Sequence, residues 1–170
     1  MIVKPAHDQP LAEVDSVIKS MLSDAKEWVQ FSTGLTSGGL GRLRADFEEC
    51  LKRISSFQLL LDNSVDEASF RTGYDWVFDH ASAQVKVSPI PILHWLIVDG
   101  RNLRLEEPHA RQPPGVTVVT PDTPRSNTLI LDCDRSVARL YLDAFNVMWS
   151  NGRTLHRASS PGTHSTARDG

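Results

Sequence analysis

Residues 92–109 read ILHWLIVDGRNLRLEEPH. Two alternating runs, 93–98 and 101–106, flank Asp99–Gly100. That dipeptide is favoured where both central residues of a tight turn need positive φ. The stretch therefore predicts a β-hairpin with a two-residue turn. Such a turn sets Val98 opposite Arg101, Leu96 opposite Leu103 and His94 opposite Leu105. Paired residues share a face and neighbours along a strand alternate. His94 is then expected among leucines. Trp95 is expected opposite Arg104, within reach of a cation–π contact. Asp before Gly is what this turn demands, so Asp99 is expected to be structural.

Upstream of the hairpin, helical and strand patterns alternate. Leu11, Val14, Ile18, Met21 and Leu22 have helical spacing, which predicts a helix over 10–26. Residues 27–33 (EWVQFST) predict a strand, and 34–41 (GLTSGGLG) a flexible loop. Leu43, Phe47, Leu51 and Ile54 put one apolar face on a helix over 42–54. The run 57–61 (FQLLL) suits a strand covered on both faces. Asp62–Asn63–Ser64 is read as the cap of a helix over 65–80, and 83–88 (AQVKVS) as another strand. Downstream, 115–120 and 127–132 predict two strands. A helix follows over 135–150, with Leu140, Leu142, Phe145, Met148 and Trp149 as its buried face.

This order predicts an α/β domain over 1–152, with a mixed, mostly parallel β-sheet and helices on both faces. Residues 153–170 are polar and without periodicity, which predicts a disordered tail. The chain has 170 residues and a formal net charge of −3. That balance lacks the electrostatic attraction that drives nucleic-acid or anionic membrane-surface binding. The two cysteines, Cys50 and Cys133, make neither a disulfide framework nor a zinc site. No membrane-length apolar stretch and no signal peptide are evident, so a cytoplasmic protein is expected.

The hairpin segment resembles the motif of the phospholipase D superfamily: His, one residue, Lys, four residues, then Asp at a strand-ending turn. In that register Ile92 takes the histidine place, His94 the lysine place and Asp99 the aspartate place. The Gly-Ser-x-Asn element that often follows falls on Glu106, Glu107, Pro108 and His109. The order of elements over 10–152 is similar to one phospholipase D-type repeat with a degenerate motif. It is also similar to the C-terminal domains of microtubule-interacting-and-trafficking proteins and to effector domains of prokaryotic regulators. The resemblance implies a homodimer that binds a ligand or partner and does not hydrolyse, because isoleucine cannot form a phospho-enzyme. An alternative is a divergent phosphodiesterase or nuclease using His94 and His109 at a dimer interface. A third is a sensor or scaffold subunit of a prokaryotic effector system.

The residues themselves offer a candidate ligand set. His94, Arg101, Arg104 and Glu106 lie on or beside the hairpin. Arginines there can bind a phosphate or carboxylate, and interleaved glutamates can instead pair with them. Ser32, Thr33 and Ser37 end or follow a strand, where the resemblance places the active-site face. The glycine-rich loop lacks the phosphate-loop lysine and the dinucleotide spacing, so no cofactor is expected. No pair of histidines has metal-ligand spacing on a predicted helix, so no metal is expected. The expected ligand is an anionic small molecule or a partner protein.

Overall fold

The structure, a computed structural model, describes residues 1–34, 39–106 and 125–156. Its strands are β1 (Ile2–Gln9), β2 (Trp28–Thr33), β3 (Ser56–Leu61), β4 (Ala83–Val87), β5 (Trp95–Val98), β6 (Asn102–Glu106), β7 (Arg125–Leu131) and β8 (Arg153–Thr154). The helices are α1 (Leu11–Asp24), α2 (Gly39–Arg42), α3 (Arg44–Leu51), α4 (Glu67–Gly73) and α5 (Arg135–Asn151), with a short 3-10 helix at Asp75–Asp79. The strand expected over 115–120 lies outside the described residues.

Among the described residues the sheet has eight strands in the order β1-β7-β6-β5-β2-β3-β4-β8. Only β2–β3 and β3–β4 are parallel neighbours. Every other pair is antiparallel. The sheet is therefore mixed but mostly antiparallel, which corrects the expected parallel majority. The physical reason is connectivity. Parallel neighbours need a long crossover, and only β2, β3 and β4 are successive strands that are both joined through helices and adjacent in the sheet. Helices α1 and α5 also link successive strands, but β1 and β2, and β7 and β8, are not neighbours. The hairpin, β7 and the edge strands β1 and β8 add antiparallel partners.

Helices cover both faces, as expected. On one face Val14, Ile18, Met21 and Leu22 of α1 join Phe47 and Leu51 of α3 and Phe70 of α4 over Phe31, Phe57 and Leu96. On the other, Phe145 of α5 packs with Leu60, Trp95, Ile97, Leu103 and Ile130. Leu140 was expected on this buried face but is 67% exposed. Leu140 and Leu142 are separated by about 200° around a helix, so one helix cannot turn both to the sheet. The helix expected over 65–80 is broken. Asp66 caps α4 by accepting from the Ser69 amide at 2.9 Å, and the chain re-forms as 3-10 turn after Tyr74.

Residues 153–156 belong to the fold, not to a tail. Arg153 and Thr154 pair with Val87 and Lys86 of β4, and Leu155 is buried. Residues 157–170 lie outside the described residues. Cys50 is buried in the core, and that burial pushes its thiol up to about 11, leaving it protonated at neutral pH. No helix among the described residues is long and apolar enough to cross a membrane.

Candidate functional site

The hairpin sets the site, through a register that differs from the expected one. Val98 pairs with Asn102, Leu96 with Arg104 and Trp95 with Leu105. Asp99 and Gly100 both have positive φ, 51° and 62°, and the Arg101 amide closes the turn on Val98 O at 3.0 Å. Arg101 is then an extra residue before β6 begins, as in a β-bulge. This single residue changes which side chains meet. Trp95, Ile97, Leu103 and Leu105 face α5, where Trp95 meets Tyr141 edge-on at 5.6 Å between centroids. The expected Trp95–Arg104 contact is absent because the two lie on opposite faces. The expected leucine surround of His94 is likewise replaced.

His94 instead meets charged residues. The Glu106 amide donates to His94 O at 3.0 Å, so the two residues are neighbours across the hairpin. Glu106 Oε1 is 4.0 Å from His94 Nδ1. Its other oxygen accepts from Arg104 Nη2 at 3.2 Å. Arg104 also donates to Asn127 Oδ1 on β7, and Asn127 Nδ2 donates to Gln9 Oε1 on β1 at 3.2 Å. The network thus crosses β6, β7 and β1 at one end of the sheet. Arg104 is 3% exposed, and a guanidinium that deep must be paired to be tolerated.

The carboxyl ends of β2 and β3 complete the site. Gly34 follows β2, and a Cβ there would lie 3.1 Å from Cε1 and Nε2 of His94. Any larger residue would press on the imidazole. Asp62 follows β3 and is buried. Its carboxylate accepts from the Ile92 amide and from the Ser64 amide, each at 2.9 Å. Ser32 is fully buried on β2, its hydroxyl donating to Leu93 O at 2.7 Å and accepting from Trp95 N at 2.8 Å.

Of the expected ligand set, His94, Arg104 and Glu106 come together, and Thr33 ends the adjacent strand. Ser32 is sealed from solvent, its hydroxyl committed to backbone groups. Arg101 is at the opposite end of the hairpin, paired with Asp132 at 2.7 Å. It leaves the set because the bulge fixes it beside the turn. His109, Ser37 and Glu107 lie outside the described residues. Gly34, Asp62, Asn127 and Gln9 were not singled out by sequence. Gly34 reads as loop, Asp62 as a helix cap and Asn127 as part of a strand. Their shared location depends on strand pairing. No cluster of metal-ligating side chains occurs among the described residues.

No protein-family model matches the sequence, and no curated protein does. Solved structures do. The archaeal chromatin protein TrmBL2, which binds DNA, superposes with a TM-score of 0.67 at 14% identity, over 90% of this chain and 53% of that one. This chain therefore spans about half the length of TrmBL2. Nuc from Salmonella typhimurium, a phospholipase D family member, superposes with a TM-score of 0.65 at 13% identity, over 91% of this chain and 98% of that one. NucT from Helicobacter pylori gives 0.63 at 12% identity, over 91% and 99%. Two of these structures match along almost their whole length: this chain has the phospholipase D-like fold.

Proposed function

We propose that this chain is a non-catalytic, regulatory phospholipase D-like module that acts as a homodimer and binds an anionic small molecule or a partner protein at His94. The carrying observation is Ile92. It stands where the superfamily motif has its histidine nucleophile, and its amide is tied to the Asp62 carboxylate. A hydrocarbon side chain has no lone pair to accept a phosphoryl group. Arg104 supports the same reading, because its guanidinium is already engaged by Glu106 and Asn127. Charge neutralisation of a transferring phosphate needs cations aimed at it. The proposed contact is the His94 imidazole, whose side chain is 17% exposed. The test is turnover of bis(p-nitrophenyl) phosphate by the purified chain. None is expected, and turnover lost in His94→Ala would refute the reading.

One observation favours a second reading, a divergent phosphodiesterase. A carboxylate oxygen lies 4.0 Å from Nδ1, and a closer approach on ligand binding would let it orient the imidazole as a base. In that case turnover would exist and Glu106→Gln would reduce it. The DNA binding of TrmBL2 is a property of that protein. A net charge of −3 gives this chain no general attraction to phosphates.

A further inference from the structure

We infer that Ser32 is a positioning residue for His94: its one hydroxyl holds both peptide groups that flank the His94 Cα and so fixes the direction in which the side chain leaves the backbone. This rests on the reading that His94 is the group a ligand meets. The starting point is the β2–β5 ladder. Regular pairing runs from Val29–Val98 through Gln30–Ile97 to Phe31–Leu96 and then stops. The chain before β5 departs from β2 at Ser32, and His94 lies in that departure. Leu93 O belongs to the peptide unit before His94, and Trp95 N to the unit after it. Ser32 Oγ donates to the first at 2.7 Å and accepts from the second at 2.8 Å. With both planes held, φ and ψ of His94 have little freedom left. An alanine at 32 would keep the strand but remove the partner of the Leu93 carbonyl and of the buried Trp95 amide, and an unmade hydrogen bond at a buried amide is expensive.

Three further contacts agree. The Asp62 carboxylate holds the Ile92 amide at 2.9 Å, two residues before His94. The Glu106 amide holds His94 O at 3.0 Å. The missing side chain at Gly34 leaves room for the imidazole, with a Cβ there reaching 3.1 Å from its far edge. Separate elements thus hold the backbone around His94 and leave space for its ring. A histidine with only a packing role needs no such set, whereas a contact group must be held to within a fraction of an ångström. Ser32 itself cannot touch a ligand, so it acts through His94.

The test uses the full chain with isotope-labelled histidine, its His94 signals assigned by their loss in His94→Gln. Ser32→Ala is expected to double the His94 ring signals or move their titration midpoint by about half a pH unit, a size set by local environment. The other histidine signals stay in place, and Ser32→Thr, which keeps the hydroxyl, restores His94. If Ser32→Ala lowers the melting temperature while the His94 signals and midpoint stay unchanged, the hydroxyl is structural only and the inference is overturned. Should Ser32→Ala not fold, Ser32→Cys carries the same comparison with a weaker donor. Inorganic phosphate added to the unsubstituted chain separates the two claims. A His94 response supports the ligand reading. Its absence, with His94 still sensitive to Ser32, counts against the anionic-ligand reading and leaves the positioning role in place.

Discussion

Asp99 has more to do than its turn requires. Its Oδ2 accepts from the Lys26 amide at 2.8 Å, and its Oδ1 from the amides of Glu27 at 3.0 Å and Trp28 at 2.8 Å. These are the three amides that lead from α1 into β2. The Asp99 amide also donates to Trp28 O at 3.1 Å. One side chain thus ties the hairpin tip to the start of the strand beside it. The residue is legible in the sequence as a turn former, but its long-range role is not, since 71 positions separate it from Trp28. We expect Asp99→Ala to lower unfolding stability by about 2–3 kcal/mol, because several charge-assisted hydrogen bonds go at once. An L-residue other than Asn or Asp is also disfavoured at its φ of 51°. Asp99→Asn should lose roughly half as much, since it keeps an acceptor and the turn preference. Urea denaturation measures both, and an alanine variant within about 0.5 kcal/mol of the parent would show that the amides find other partners.

The hairpin shows how far an element can be read from sequence. Its two strands and its turn dipeptide were legible from alternation and from Asp99–Gly100. The register was not, because all four residues of β5 are buried, so both of its faces are apolar. Alternation discriminates only where one face is wet. With Trp95 and Ile97 as apolar as Leu96 and Val98, either pairing satisfies β5. The bulge at Arg101 decides, and it exchanges leucines for Glu106 and Arg104 beside His94. A deletion separates these roles. Without Arg101 the chain would make the two-residue turn that its sequence favours, with Val98 still opposite Asn102. We expect the deletion to keep every β5–β6 pair and the His94–Glu106 approach. It would lose the Arg101–Asp132 pair and the bond from Cys133 N to Arg101 O at 2.8 Å. An exposed pair and one backbone bond together are worth about 1–2 kcal/mol. Cross-strand nuclear Overhauser contacts between β5 and β6 report the register directly. A variant in which Arg104 moves to the α5 face would contradict this account of the bulge.

At the scale of the molecule, the sheet's two edges are the parts that the sequence hid. The parallel centre from β2 to β4 follows from alternating helix and strand patterns. The edge strand β1 carries Pro5 and is exposed over residues 2–5, so it has no apolar alternation to read. At the other edge, β8 has two exposed residues after Gly152, which resemble a tail in composition. The structure gives those few residues three attachments. Arg153 and Thr154 pair with β4, Arg153 contacts Glu67 of α4, and Leu155 is 2% exposed with its amide on Val85 O at 2.9 Å. The candidate site lies at the carboxyl ends of the same parallel strands that this edge supports. Ending the chain at Gly152 should therefore lower stability by about 3 kcal/mol, mostly through the loss of one buried leucine. It should also uncover the β4 edge, an invitation to intermolecular pairing. Leu155→Ala in the full chain should reproduce most of the stability loss without uncovering the edge. Chemical denaturation measures the first effect, and light scattering against protein concentration measures the second. If the shortened chain unfolds at the same denaturant midpoint as the full chain, β8 and Leu155 are not holding this edge, and the domain ends with α5 after all.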